Sequence, residues 1–241
     1  TNPISVTGRQ QWQPSVIAHE GRILAIWDIT GNLTATYFST FDPRSGKWTN
    51  RDIGAALLPV SLSDTEAEES YGRLASQTAI YALESGRILC PMILHAEAAS
   101  FATDRKRMVS LYSDDDGATW ALGAPCGPAG DAAGAWEPYI TEREGVLTAY
   151  MRRITASTDN RLSQWTAQST DGGETWSSPR SSGWDIAATR GASCRLPDGR
   201  WAIIHHHHTE VATNPRNRRS LSVWLSDGGM TAVPAYCISG T

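Results

Sequence analysis

Four consecutive histidines, His205-His206-His207-His208, are the run in this sequence that most invites chemistry. On an extended strand alternate side chains share a face, so His205 and His207 point one way and His206 and His208 the other. Two imidazoles at i and i+2 can begin a zinc site. No Cys or acid at useful spacing completes one here, and no metal or other cofactor is expected. The run ends a strand that leads into a basic segment, Asn214-Pro215-Arg216-Asn217-Arg218-Arg219. His95, in Pro91-Met92-Ile93-Leu94-His95, holds the equivalent strand-end position earlier in the chain. Strand-end histidines near a Tyr and an Arg suit a lyase acting on uronates, where a cation neutralises the carboxylate and His or Tyr removes the C5 proton. A second constellation lies between them. Glu137 sits at a strand entrance in Trp136-Glu137-Pro138-Tyr139, and Arg152-Arg153 close the strand that follows.

The elements that must position these groups are repeated. Ser113-Asp114-Asp115-Asp116-Gly117-Ala118-Thr119-Trp120 and Ser169-Thr170-Asp171-Gly172-Gly173-Glu174-Thr175-Trp176 both read S-x-D-x-G-x-T-W. A truncated copy begins at Ser226, and a degenerate one spans Phe41 to Trp48. Asp beside Gly makes a tight turn, and the Trp after it is a large anchor that must be buried. Upstream of each copy lies an apolar run, a turn glycine (Gly21, Gly86, Gly145 or Gly199) and a second apolar strand. The unit is strand, turn, strand, loop, strand, box, strand. Four such units of short strands fit propeller blades in a single domain over 1–241, with repeats at roughly 10–50, 71–122, 135–178 and 189–238. No stretch sustains a capped helical pattern, and the acidic segment from Asp64 to Ser70 reads as loop.

Composition sets outer bounds. A chain of 241 residues can bury a substantial core. Its net charge of −4 argues against a nucleic-acid partner. Ten tryptophans suit packing between blades more than any other use. Cys90, Cys126, Cys194 and Cys237 show no metal-type spacing, and their pairing is left open. No signal peptide or membrane span is visible, so no membrane partner is expected. The sequence starts at Thr1, which leaves the compartment open, a secreted or periplasmic one being favoured.

The boxes, the Gly-Arg-Ile-Leu turns and their order resemble the sialidase-type Asp-box (BNR-repeat) propeller superfamily, over nearly the whole chain. The resemblance implies an all-β fold, a sialidase-like β-propeller of four-stranded blades. The family usually has six blades and four are legible here. Blades are missing from this chain, or the 50–75 segment hides an eroded one around Leu57-Leu58-Pro59-Val60-Ser61-Leu62, or another chain completes the ring. The resemblance also implies an exo-acting glycoside hydrolase whose acidic or polar glycan is held by arginines, since the guanidinium fork binds a carboxylate bidentately. By it Glu137 is the carboxylate that assists a tyrosine nucleophile, with Trp136 and Tyr139 beside the substrate. Arg152, or else Arg153, matches the second arginine, and Arg218 or Arg219 the third. The first arginine is absent: Trp12-Gln13-Pro14 stands where the family has Arg-Ile-Pro, and Arg9 is out of register. Asp28 is the convenient acid and Tyr236 the tyrosine beyond the last box. His205, His207 and His95 complete the expected face. The rival readings are the uronate lyase and a glycan-binding propeller without chemistry. Oligomeric state is not legible.

Overall fold

The computed structural model describes residues 10–30, 35–53, 60–61, 70–76, 79–96, 106–127, 134–154, 164–184, 186, 189–206, 221–229 and 232–239. They form four antiparallel sheets in chain order. Sheet one contains β1 (Gln10–His19), β2 (Arg22–Thr30), β3 (Ala35–Asp42) and β4 (Lys47–Asp52). Sheet two contains β5 (Val60–Ser61), β6 (Ser70–Ser76), β7 (Tyr81–Ala82), β8 (Ile88–Ala96), β9 (Arg107–Ser113) and β10 (Ala121–Leu122). Sheet three contains β11 (Gly134–Arg143), β12 (Val146–Ile154), β13 (Gln164–Ser169) and β14 (Arg180–Ser181). Sheet four contains β15 (Ala192–Arg195), β16 (Trp201–His206), β17 (Leu221–Ser226) and β18 (Ala232–Ser239). The fold is an all-β propeller of four-stranded blades, four of them among the described residues.

Sheet two departs from the plan in two ways. Its first strand is split, β6 and β7 both pairing with β8. The segment expected to hide an eroded blade contributes Val60 and Ser61, which pair with Tyr71 and Ser70. Those residues extend sheet two. Of Asp64 to Ser70, read as loop, residues 64–69 lie outside the described set and Ser70 begins β6.

Local chemistry explains the hairpins. Glu20-Gly21 (φ 47° and 73°) and Glu144-Gly145 (φ 52° and 77°) are two-residue turns with both φ positive, the geometry whose twist matches the flanking strands. Sheets two and four use three-residue turns, closed by Leu83 N–H to the Arg87 carbonyl (2.9 Å) and Leu196 N–H to the Arg200 carbonyl (2.7 Å).

Each full box is a closed hydrogen-bond knot. Ser113 Oγ donates to the Asp115 carboxylate (2.8 Å) and accepts from Gly117 N–H (2.8 Å), while Asp115 also receives Thr119 N–H (2.7 Å) and Thr119 Oγ1–H (2.6 Å). Ser169, Asp171, Gly173 and Thr175 repeat the same bonds. The knot is seated on the preceding sheet. Trp120 packs edge-on against Phe38 of sheet one, and Trp176 Nε1 donates to Ser110 of sheet two. A Cβ on Gly117 would fall 2.3 Å from Phe38, and one on Gly173 2.5 Å from Leu89, so both approaches need glycine.

The core lies between the sheets. Leu24, Ile26 and Phe38 meet Ile88, Met92 and Val109 across sheets one and two. Leu89 and Met108 meet Ile140, Leu147 and Met151 across sheets two and three. Tyr139 and Tyr150 meet Ile203 and Trp224 across sheets three and four. Tyr81 ties three sheets together: its hydroxyl is 2.9 Å from Ser193 Oγ, which donates to the Ile140 carbonyl. Burial pushes that phenol up to about 12. Cys90, Cys126 and Cys194 are free thiols. No helix of the described residues is long and apolar enough to cross a membrane.

Candidate functional site

Antiparallel order puts the turn glycines and the boxes at one end of every sheet. The opposite end carries the start of β11, the end of β12, the start of β13 and the residues just before β9. That end is where the chemistry-bearing side chains gather.

A bulge organises them. Trp136 opposes Arg152 and Tyr139 opposes Tyr150, so Glu137 and Pro138 face Met151 alone. Bulges re-aim side chains and recur beside active sites. Glu137 has φ 46°, and it is the one non-glycine residue with positive φ outside a turn or box among the described residues. Such a backbone persists only where its surroundings enforce it. Its carboxylate accepts a hydrogen bond from Arg152 Nη1 at 2.9 Å, with side-chain exposures of 13% and 17%. A pair this sheltered is costly to break from either side. Arg190, just before β15, is close enough to feel Glu137. Desolvation lowers the Arg190 pKa and the carboxylate opposes that shift.

Two further cationic side chains are buried at this end of the sheets. Lys106 is fully buried with its ammonium 3.2 Å from the centre of the Trp136 ring, a cation–π contact. Arg107 beside it is also buried, against Gly127. Gln164 opposes Arg152 in register and donates to the Tyr139 hydroxyl at 2.6 Å. Among the described residues, Gln164 Oε1 and Arg152 Nε are buried without a hydrogen-bond partner. A bound ligand or water can therefore satisfy both an acceptor and a donor here.

The expected residues divide clearly. Glu137, Arg152 and Trp136 come together. Arg153 opposes Ala135 and lies over the Trp165 ring at 4.7 Å, apart from the ion pair. Tyr139, expected beside the substrate, is 1% exposed, stacked on Tyr150, and burial drives its hydroxyl far above the usual phenol range. His205 is likewise enclosed, its ring packed against both Trp184 and Trp224, which also stack on each other. Tyr139 packs with Ile203 of sheet four, and His205 with Trp184 that follows sheet three, so both side chains lie in the packing between sheets three and four. Asp28 pairs with Trp12, His95 with Arg73 and Tyr236 with Val223 along the backbone, and their side chains are outside the described set. His207, Arg218 and Arg219 also lie outside it.

Lys106, Arg190 and Gln164 were not anticipated. The run Asp104-Arg105-Lys106-Arg107 entering an apolar strand was a usable signal for the first. Arg190 comes near Glu137 only through packing between sheets, and Gln164 meets Arg152 only through strand register. Among the described residues, one group has metal-type side chains converging, His19, Glu20 and Asp116, at the box end, and Arg22 already pairs with both of its acids.

Comparison with known proteins agrees with this architecture. No curated protein sequence matches the chain. A protein of unknown function from Dyadobacter fermentans superposes with a TM-score of 0.66 at 17% identity, over 96% of this chain and 66% of that one. A Trypanosoma rangeli sialidase in complex with the inhibitor DANA superposes with a TM-score of 0.69 at 14% identity, over 100% of this chain and 41% of the other. Zg3597, a family 117 glycoside hydrolase of Zobellia galactanivorans, gives a TM-score of 0.58 at 12% identity, over 94% and 69%. The chain thus spans from two fifths to about two thirds of these proteins' lengths. The family of the BNR repeat-like domain matches residues 74–234, more than half of the sequence. By that match and by its box-bearing four-stranded blades, the chain belongs to the BNR repeat-like family and has the fold of a sialidase-like β-propeller.

Proposed function

We propose that the protein is a glycoside hydrolase, exo-acting, on a glycan with an acidic or polar terminal sugar. The observation that carries this reading is the Glu137–Arg152 pair, held on a strained bulge at the end of the sheets away from the boxes. Arg152 and Arg190 supply positive charge for an acidic group, with Lys106 behind Trp136 adding to the field. In this reading Glu137 takes a proton from a neighbouring hydroxyl, the task of a carboxylate that activates a nucleophile. Tyr236 is the candidate nucleophile and Asp28 the candidate acid. The trypanosomal neighbour has also been solved in complex with sialic acid, which makes a sialoside the first substrate to try.

Release of 4-methylumbelliferone from its N-acetylneuraminide and glucuronide tests the reading. Glu137→Gln and Arg152→Ala should each lower kcat/KM by about 10²–10³, the scale for losing one preorganised electrostatic contact. Retention of parental rates by both variants on a proven substrate would sink the assignment. The lyase alternative would rest on His95 or a member of the histidine run, of which His205 is enclosed by aromatic rings. Absorbance near 235 nm from uronate polymers distinguishes it. Glycan binding without product release is the mark of the non-catalytic reading.

A further inference from the structure

Arginines next to the turn glycines close the seams between sheets, and two of these seams differ in how completely they are filled. Between sheets two and three, Arg87 lies over the Tyr112 ring at 4.2 Å. It donates to Asp114 (2.7 and 2.8 Å), to Glu174 (3.0 Å) and to the carbonyls of Asp171 (3.3 Å) and Gly172 (3.1 Å). That seam is full, and the Arg87 side chain is 13% exposed.

Arg22 is its counterpart in sheet one. It precedes Ile23 as Arg87 precedes Ile88, and the pairings Leu24↔Thr40 and Leu89↔Tyr112 put Thr40 where sheet two has Tyr112. Without a ring to lie on, Arg22 reaches, among the described residues, Asp116 (3.0 Å) and Glu20 (3.7 Å) and stays 33% exposed. The unfilled space is a cavity of about 360 Å³ whose lining includes Arg22, Thr40, Asn50, Arg51, Asp115 and Asp116. It lies at the box end, away from Glu137.

The charges in this lining cancel. Arg22 is paired with Asp116, Arg51 donates to the carbonyls of Gly117 and Ala118, and the Asp115 carboxylate is occupied by Ser113 and Thr119. An anion entering meets two carboxylates, and a cation meets two guanidiniums. A neutral polyhydroxylated ligand meets neither penalty. It can donate to the acids and accept from Thr40, Asn50 and the guanidinium edges. The size falls in the usual range for small-ligand pockets, roughly 300–1,000 Å³.

We propose that the seam between sheets one and two is a second binding site, for a neutral sugar residue of a glycan. It does not depend on the hydrolase reading. If both sites engage one polymer, the seam raises the effective concentration of chain ends at the other face.

Saturation-transfer NMR with the methyl glycosides of galactose, glucose, mannose and N-acetylglucosamine tests this. At least one should bind the parent protein with a Kd in the millimolar range, a binding free energy of about −4 kcal/mol or slightly stronger. Thr40→Tyr, which copies the filled seam, should abolish that signal, and Asn50→Ala should weaken it at least threefold. Glu137→Gln should leave it unchanged, which separates the seam from the candidate active face. The proposal is overturned if none of the four binds, if affinity survives Thr40→Tyr, or if it is lost in Glu137→Gln. It is equally overturned if inorganic phosphate or calcium displaces the sugar. Should Thr40→Tyr fail to fold by thermal melt, Asn50→Ala decides alone, and unchanged affinity there refutes the site.

Discussion

Sheets one and three follow one plan and live in different surroundings. Each opens with a Trp-x-Pro bulge, and the pairings Trp12↔Asp28 and Ser15↔Ile26 answer Trp136↔Arg152 and Tyr139↔Tyr150. Each turns on Glu-Gly with positive φ. Val16 and Ile23 therefore correspond to Ile140 and Leu147. The latter two are 0% exposed against sheet two, whereas Val16 is 60% and Ile23 39% exposed. A blade thus carries apolar residues at these positions whether or not a neighbour covers them. The bulge itself also recurs without the ion pair: at the same places sheet one has Gln13 and Asp28 where sheet three has Glu137 and Arg152.

The comparison can be broken most severely at the ion pair. Converting sheet three's bulge to sheet one's residues, Glu137→Gln with Arg152→Asp, should lower kcat/KM on a proven glycoside by about 10³ while the far-UV circular dichroism stays that of a folded propeller. The next effect is on stability. Ile140→Thr buries a hydroxyl in the core between sheets two and three and should cost about 2–3 kcal/mol in urea unfolding, while Val16→Thr stays within about 0.5 kcal/mol. Equal costs would mean that the Val16 face is covered in solution. The box glycines give a third contrast. Gly173→Ala drives a Cβ into Leu89 at φ +91° and should cost about 3 kcal/mol, whereas Gly46→Ala in sheet one's degenerate box meets nothing within 4 Å and should cost about 1 kcal/mol for its φ of +66°.

Acid gives the smallest contrast. Hydrogen bonds from Thr119 and Ser113 depress Asp115 to about 2. Asp171 also lies at about 2, where Thr175 and Ser169 outweigh a desolvation that acts upward. Folded values below the ordinary aspartate value near 4 mean that both carboxylates stabilise the fold above that pH. That contribution is lost as the pH falls from about 4 through 2. Asp115→Asn and Asp171→Asn should flatten the decline of the melting temperature over this window. Asp42→Asn in sheet one should do so less, since its carboxylate is held chiefly by the Arg44 and Ser45 side of a single turn. A melting temperature that declines identically in all three variants and the parent would remove the boxes as acid-sensitive knots.

What was legible in the sequence was what repeats. The S-x-D-x-G-x-T-W spacing is a local hydrogen-bond pattern, so both boxes, their turn glycines and the alternation into strands could be read residue by residue. The positions of Glu137 at a strand entrance and of Arg152 at a strand end were also legible, because both are local features. Tyr139 and His205, expected on the substrate face, are enclosed by aromatic rings among the described residues, and alternation along a strand could not foretell that. Inner sheets here are covered on both faces, so period-two alternation does not separate residues that face a ligand from residues that face the next sheet. Lys106 reaches Trp136 and Arg190 reaches Glu137 from different sheets, and no spacing along one chain encodes such meetings.

The left-handed backbone at Glu137 has a further consequence. Glycine would adopt that φ without penalty, but it would also leave the sheltered Arg152 guanidinium without its carboxylate. Backbone relief and charge pairing therefore pull against each other at this one position, and no neutral residue satisfies both. Position 137 is thus a poor place to look for thermal tolerance, and Glu137→Gly should melt no higher than the parent.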